Sequence, residues 1–122
     1  MIIVDSAVWI DHHHKNIAAL DDLMALRGAI MHPFVLGEIA LGNLLSREAF
    51  IAFARDLPEP PIAEPTEVLN LIVNAQLEGS GIGYVGAHLL ASTMLVPGGL
   101  LWTSDKRLHT VAKRLGIDYP SP

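Results

Sequence analysis

The sequence predicts an α/β fold with a short, mostly parallel central sheet. Three observations lead there. Ile2-Ile3-Val4, residues 29–32 and residues 100–103 are apolar runs of strand length. Longer segments with helical spacing separate them, so successive strands are joined by crossovers and can run parallel. The chain has 122 residues, 51% of them apolar, which suits one core and leaves too little for two. A single domain over residues 1–122 is therefore expected.

The elements follow in order. Ile2-Ile3-Val4 reads as a buried strand, and Asp5-Ser6 can cap a short helix over residues 7–11. His12-His13-His14-Lys15 is polar and reads as surface loop or frayed end. Adjacent histidines on a loop seldom converge on one metal ion. Asn16 leads into a helix over 17–27, with Gly28 as its stop. Residues 29–32 form the second strand. Pro33 suits a first helical position, and the helix continues over 34–45. Ser46 can cap a further helix over 47–56.

Pro58-Glu59-Pro60-Pro61 is a rigid connector within one domain. Thr66 caps a helix over 67–77. Residues 79–83 are a glycine-rich loop, 84–95 a well-buried helix, and 100–103 the third strand. The last helix spans 105–115 and stops at Gly116. Trp9 and Trp102 are expected in the core, and His88, on an apolar helix, as a satisfied core or site-edge histidine.

Composition excludes several classes of function. Thirteen acids against 8 Lys+Arg give a net charge of −5, which argues against a general phosphate-backbone binder but not against a local basic patch. The absence of cysteine excludes disulfide scaffolds, zinc–thiolate sites and thiol nucleophiles. The longest uncharged stretch, residues 79–102, contains His88, Ser92 and Thr93 and breaks at Pro97-Gly98-Gly99. Two packed elements fit it better than a membrane span. A soluble, cytoplasmic protein is expected.

Open α/β sheets bind ligands beyond the carboxyl ends of their strands. Asp5 and Asp105 both follow predicted strands. Glu38 is the only formally charged residue from Gly28 to Ser46, on an otherwise apolar helix. It is either a solvated or paired carboxylate, with Arg27 or Arg47 as partner, or a member of a shared site with the two aspartates. Converging carboxylates repel one another unless a cation neutralises them, and oxygen-only ligation suits Mg²⁺ or Mn²⁺. Such an ion can activate water against a phosphodiester.

The contexts of these acids resemble the PIN-domain family, and within it the VapC-type toxins of prokaryotic toxin–antitoxin pairs. The matching stretches are Val4-Asp5-Ser6-Ala7-Val8-Trp9-Ile10-Asp11, Gly37-Glu38-Ile39-Ala40-Leu41-Gly42, the segment from Gly81 through Tyr84-Val85-Gly86-Ala87-His88 to Ser92, and Leu101-Trp102-Thr103-Ser104-Asp105-Lys106-Arg107-Leu108. The resemblance covers nearly the whole chain. It implies a PIN-like α/β/α sandwich, Mg²⁺- or Mn²⁺-dependent endoribonuclease chemistry, homodimerisation, and inhibition by a cognate VapB-type antitoxin. It makes Asp5, Glu38 and Asp105 metal-binding, catalytic acids, with Thr103 or Ser104 as a hydroxyl helper.

One position departs from the family pattern. Gly86 stands where the third stretch normally has an Asp. The loss reads as engineered inactivation or as natural degeneration, and it implies an impaired or inactive nuclease. Glu78 is too far along a flexible segment to substitute. A PIN-like module that only binds antitoxin or RNA is the alternative. A signalling receiver domain is a more distant one, suggested by Asp56-Leu57-Pro58, but residues 50–55 read as helix where a receiver needs a strand.

Half of the eight basic residues fall between Lys106 and Arg114. At 100° per residue, Lys106 and Lys113 lie within about 20° of each other, as do Arg107 and Arg114. These four form a basic stripe beginning beside Asp105, opposite an apolar stripe of Leu108, Val111, Ala112 and Leu115. They are the expected RNA-binding residues, against the plainer reading of a solvated helix face. The apolar helices over 34–45 and 67–77 could supply a dimer or antitoxin surface.

Overall fold

The computed structural model describes residues 1–120 and contains a three-stranded sheet and seven helices. Strand β1 (Ile2–Val4) is central, with β2 (Ala29–Ile30) on one side and β3 (Leu100–Trp102) on the other. Both pairings are parallel, with Ile2 opposite Ala29 and Leu100, and Val4 opposite Trp102. This is the α/β, PIN-like architecture expected from the sequence. All three residues of β1 are buried, as a central parallel strand requires.

The order β2-β1-β3 creates a switch point at the carboxyl ends of β1 and β3, because the chain leaves β1 for one side and later returns on the other. Helices α1 (Ser6–His14) and α2 (Ala18–Ala25) make the first crossover. The second contains α3 (Pro33–Leu41), α4 (Arg47–Arg55), α5 (Pro65–Asn74) and α6 (Tyr84–Leu95). The last helix, α7 (Lys106–Arg114), leaves β3 directly. Helix α6 packs on both β1 and β3 and carries seven buried residues, from Ala87 to Thr93. Trp9 and Trp102 are buried as expected, and Trp9 Nε1 donates to Val4 O.

Several boundaries differ from expectation. Helix α1 continues through His12-His13-His14 instead of ending before them. His12 makes the reason visible: its Nδ1 accepts from Ile17 N at 2.8 Å, and its Nε2 lies 3.4 Å from Asp21 Oδ1. The ring ties the end of α1 to α2. Helix α3 stops at Leu41, short of residue 45. Leu41 and Leu45 are 91% and 82% exposed, so neither adds packing that would hold another turn. Helix α5 begins at Pro65, not after Thr66, and Glu64 N donates to Glu67 Oε1 at 2.9 Å. Pro33 does open α3, and Gly116 takes the left-handed conformation (φ 74) just beyond α7.

One element escaped the sequence reading. After α7 the chain returns to pair with β3, where Leu101 N donates to Ile117 O and Tyr119 N to Leu101 O. Tyr119 packs its ring 4.8 Å from that of Trp102. Among the described residues, no helix is long and apolar enough to cross a membrane.

Candidate metal-binding acid cleft

A cleft of about 270 Å³ opens at the switch point, lined by Asp5, Ser6, Glu38, Gly83, Gly86 and Asp105 among others. It brings together the three acids singled out in the sequence, together with Gly86. They come from four elements: Asp5 caps α1 after β1, Glu38 lies on α3, Gly86 is in the first turn of α6, and Asp105 caps α7 after β3.

Backbone donors fix the two aspartates. Asp5 is buried, and its Oδ1 accepts from Ser6 N at 2.7 Å. Its backbone N donates to Trp102 O, extending the β1–β3 ladder by one bond. Asp105 is exposed, and its Oδ1 accepts from Arg107 N at 2.9 Å and Leu108 N at 3.1 Å. These are N-cap contacts, and they orient both carboxylates. Thr103 connects the pair. Its hydroxyl donates to Asp5 Oδ2 at 2.8 Å and accepts from Asp105 N at 3.1 Å. Of the two hydroxyl candidates, Thr103 is buried against the acids. Ser104 is exposed and lines a different groove.

Glu38 sits at the open edge of the cleft. Its carboxyl is pushed above its ordinary value by loss of solvent, then by the charge of Asp5, with the Ser6 hydroxyl offsetting part of the rise. Among the described residues, neither Arg27 nor Arg47 forms an ion pair with it, and no Lys or Arg pairs with Asp5 or Asp105. Ser6 was not identified as a site residue from the sequence. Its position directly after Asp5 was the available signal.

The donor set is all oxygen, negatively charged and uncompensated, which suits a hard divalent cation. Among the described residues, however, no three acidic or histidine side chains already form a closed metal cage. Gly86 leaves one wall without a carboxylate. A Cβ there would stand 3.3 Å from Leu108 Cδ1 and 3.8 Å from Ile82 Cβ, so a side chain fits if Leu108 gives by a few tenths of an ångström.

The remaining candidates lie around this cleft. His88 is buried between the rings of Phe34 and Tyr84, each 4.7 Å away, and burial holds its pKa below the ordinary value. It was expected to be satisfied, yet among the described residues its Nδ1 has no hydrogen-bond partner. The basic residues of α7 divide between two grooves: Arg107 and Arg114 line one, Lys106 and Lys113 the other. Residues 47–55 are helical, against the receiver reading.

No protein-family model matches the chain. Ribonuclease VapC32 of Mycobacterium tuberculosis, from strain CDC 1551 / Oshkosh, is 39% identical over 117 residues, covering 96% of this chain and 94% of that protein. Ribonuclease VapC32 of strain ATCC 25618 / H37Rv matches to the same extent. Identity at this level over nearly the full length of both chains means that this protein belongs to the VapC-type PIN-domain family.

Proposed function

We propose that the protein is the endoribonuclease toxin of a VapBC-type toxin–antitoxin pair, that Asp5, Glu38 and Asp105 hold Mg²⁺ or Mn²⁺, and that Gly86 leaves it impaired. The observation that carries this reading is the cleft itself, where three acids from separate elements meet with no Lys or Arg partner among the described residues. When bound, the metal would activate water and stabilise charge on the phosphoryl oxygens. The chain's own residues do the rest. Thr103 and the α1 and α7 N-termini hold Asp5 and Asp105 in orientation. Glu38 brings a third carboxylate to the rim, where RNA has access.

Exposed apolar residues support further partners. Leu41 at the end of α3, Leu45 beyond it, and Leu69 and Val73 on α5 are 58–91% exposed. A VapB-type antitoxin and a second copy of the chain are the proposed partners at such surfaces, in a cytoplasmic setting.

The test is RNA cleavage by Gly86→Asp beside the unaltered chain, with Mg²⁺, with Mn²⁺ and with EDTA. Disturbing even the outer partners of a metal lowers affinity or activity by about 10–100-fold, so restoring a ligand should raise cleavage by at least that much. EDTA should abolish the gain. RNA binding by both proteins with cleavage by neither would overturn the nuclease reading in favour of a module that only binds.

A further inference from the structure

The two sides of α7 carry the same charge but do different work. Arg114 Nη1 donates to Ala75 O at 2.9 Å. Arg107 lies over Gly81, so close that a Cβ there would stand 2.8 Å from Arg107 Cδ and 2.9 Å from its Nη1. Gly81 has φ +82, a backbone conformation that calls for glycine. Arg114 thus bonds to the start of the segment between α5 and α6, and the Arg107 side chain lies over Gly81 within it. That segment runs on into Ile82 and Gly83, which line the acid cleft.

The lysine side differs. Lys106 and Lys113 are exposed, and among the described residues neither ammonium group is in an ion pair. They stand two turns apart, about 10 Å along the helix. Both line a groove of about 650 Å³ that also includes Thr103 and Ser104. This groove therefore begins at the connection that holds Asp105. Among the described residues its single acid, Asp118, lies 3.8 Å from His109 Nε2. The arginine groove instead contains Glu78, which faces solvent and repels phosphate. The first free amides of α7 are already taken by Asp105, so they are not available to a phosphate.

We infer that RNA leaves the acid cleft along the lysine groove, with Lys106 and Lys113 on its phosphates, while Arg107 and Arg114 latch the 75–83 segment instead of touching RNA. This rests on the ribonuclease reading above and names the path of the substrate within it. Phosphate contacts are read from salt dependence and need no knowledge of the RNA sequence.

The experiment measures binding of a short, labelled, random-sequence single-stranded RNA by fluorescence anisotropy over a salt series, in Mg²⁺. Lys106→Gln with Lys113→Gln should flatten the slope of log affinity against log salt by about 1.4, two phosphates at roughly 0.7 each. Arg107→Gln with Arg114→Gln should keep the slope, but lower the melting temperature and speed amide exchange over residues 75–83. A lysine pair that keeps the full slope, or an arginine pair that loses as much of it, overturns the inference. Cleavage by Gly86→Asp separates the two levels. If it cleaves while the lysine pair binds as before, only the groove is lost. If the unaltered chain shows no salt-dependent binding, the groove is lost, and if Gly86→Asp also cleaves nothing, the ribonuclease reading falls with it.

Discussion

Thr103 and Asp5 are joined by a 2.8 Å hydrogen bond that spans 98 positions of sequence and closes the carboxyl ends of β1 and β3. The same hydroxyl accepts from Asp105 N, so one buried oxygen orients both aspartates. Thr103→Val preserves shape but strips Asp5 of a donor and Asp105 N of an acceptor. Leaving buried polar groups unpaired costs about 1–3 kcal/mol. Urea denaturation should show that loss for Val and a much smaller one for Thr103→Ser. Equal stability of Val and the unaltered chain would mean the bond carries no weight.

Loss of solvent raises the Glu38 pKa, and the charge of Asp5 across the cleft adds to the rise, so the two carboxylates repel when both are ionised. Glu38→Gln should therefore raise the melting temperature in EDTA. It should also diminish the stabilisation by Mn²⁺, which for a binding ligand at a hundredfold excess over Kd is about 2.7 kcal/mol. Scanning calorimetry with and without Mn²⁺ reads both effects. A variant that keeps the full Mn²⁺ response would remove Glu38 from the metal site.

These carboxylates also mark what sequence reasoning could and could not reach. Strand ends are legible because short apolar runs stop at polar residues, and the switch-point rule then assembles Asp5 with Asp105. Glu38 was legible as a lone charge on an apolar helix. Periodicity gives an angle around a helix but not what packs against each side. It therefore aligned Lys106, Arg107, Lys113 and Arg114, yet could not show that Ala75 and Gly81 occupy the two arginines. His12 was read as loop because its tie to Ile17 depends on where α2 lies. The pairing of Ile117 and Tyr119 with Leu101 was missed because so short a bridge carries no alternation.

Position 86 separates helix stability from site charge. Glycine inside a helix is about 0.5–1 kcal/mol less favourable than alanine. Gly86→Ala should recover somewhat less than that, because its Cβ meets Leu108 Cδ1 at 3.3 Å. Gly86→Asp makes the same backbone gain and suits a helix's first turn, but adds a charge to a cleft already holding Asp5, Glu38 and Asp105. In EDTA it should melt below the alanine variant, and in Mg²⁺ it should overtake it. An aspartate variant with no greater Mg²⁺ response than alanine would place residue 86 outside the metal site.

His32 gives the fold a pH dependence of predictable sign. It is fully buried, and its Nδ1 accepts from Phe34 N at 3.0 Å as the N-cap of α3. The proton of the neutral ring therefore sits on Nε2, which donates to Ser92 Oγ at 3.1 Å. Burial, with a smaller contribution from His88, lowers its pKa from 6.5 to about 4. Between those values the unfolded chain takes up a proton that the folded chain refuses. The stability is complete above the unfolded value and is lost as pH falls toward the folded one, by on the order of 3 kcal/mol in full. His32→Asn keeps an N-cap acceptor but cannot titrate. Its unfolding free energy should fall less than that of the unaltered chain across this window, with a residual slope from His88, whose pKa is also lowered. Parallel slopes for the two proteins would show that His32 takes no part in the acid response.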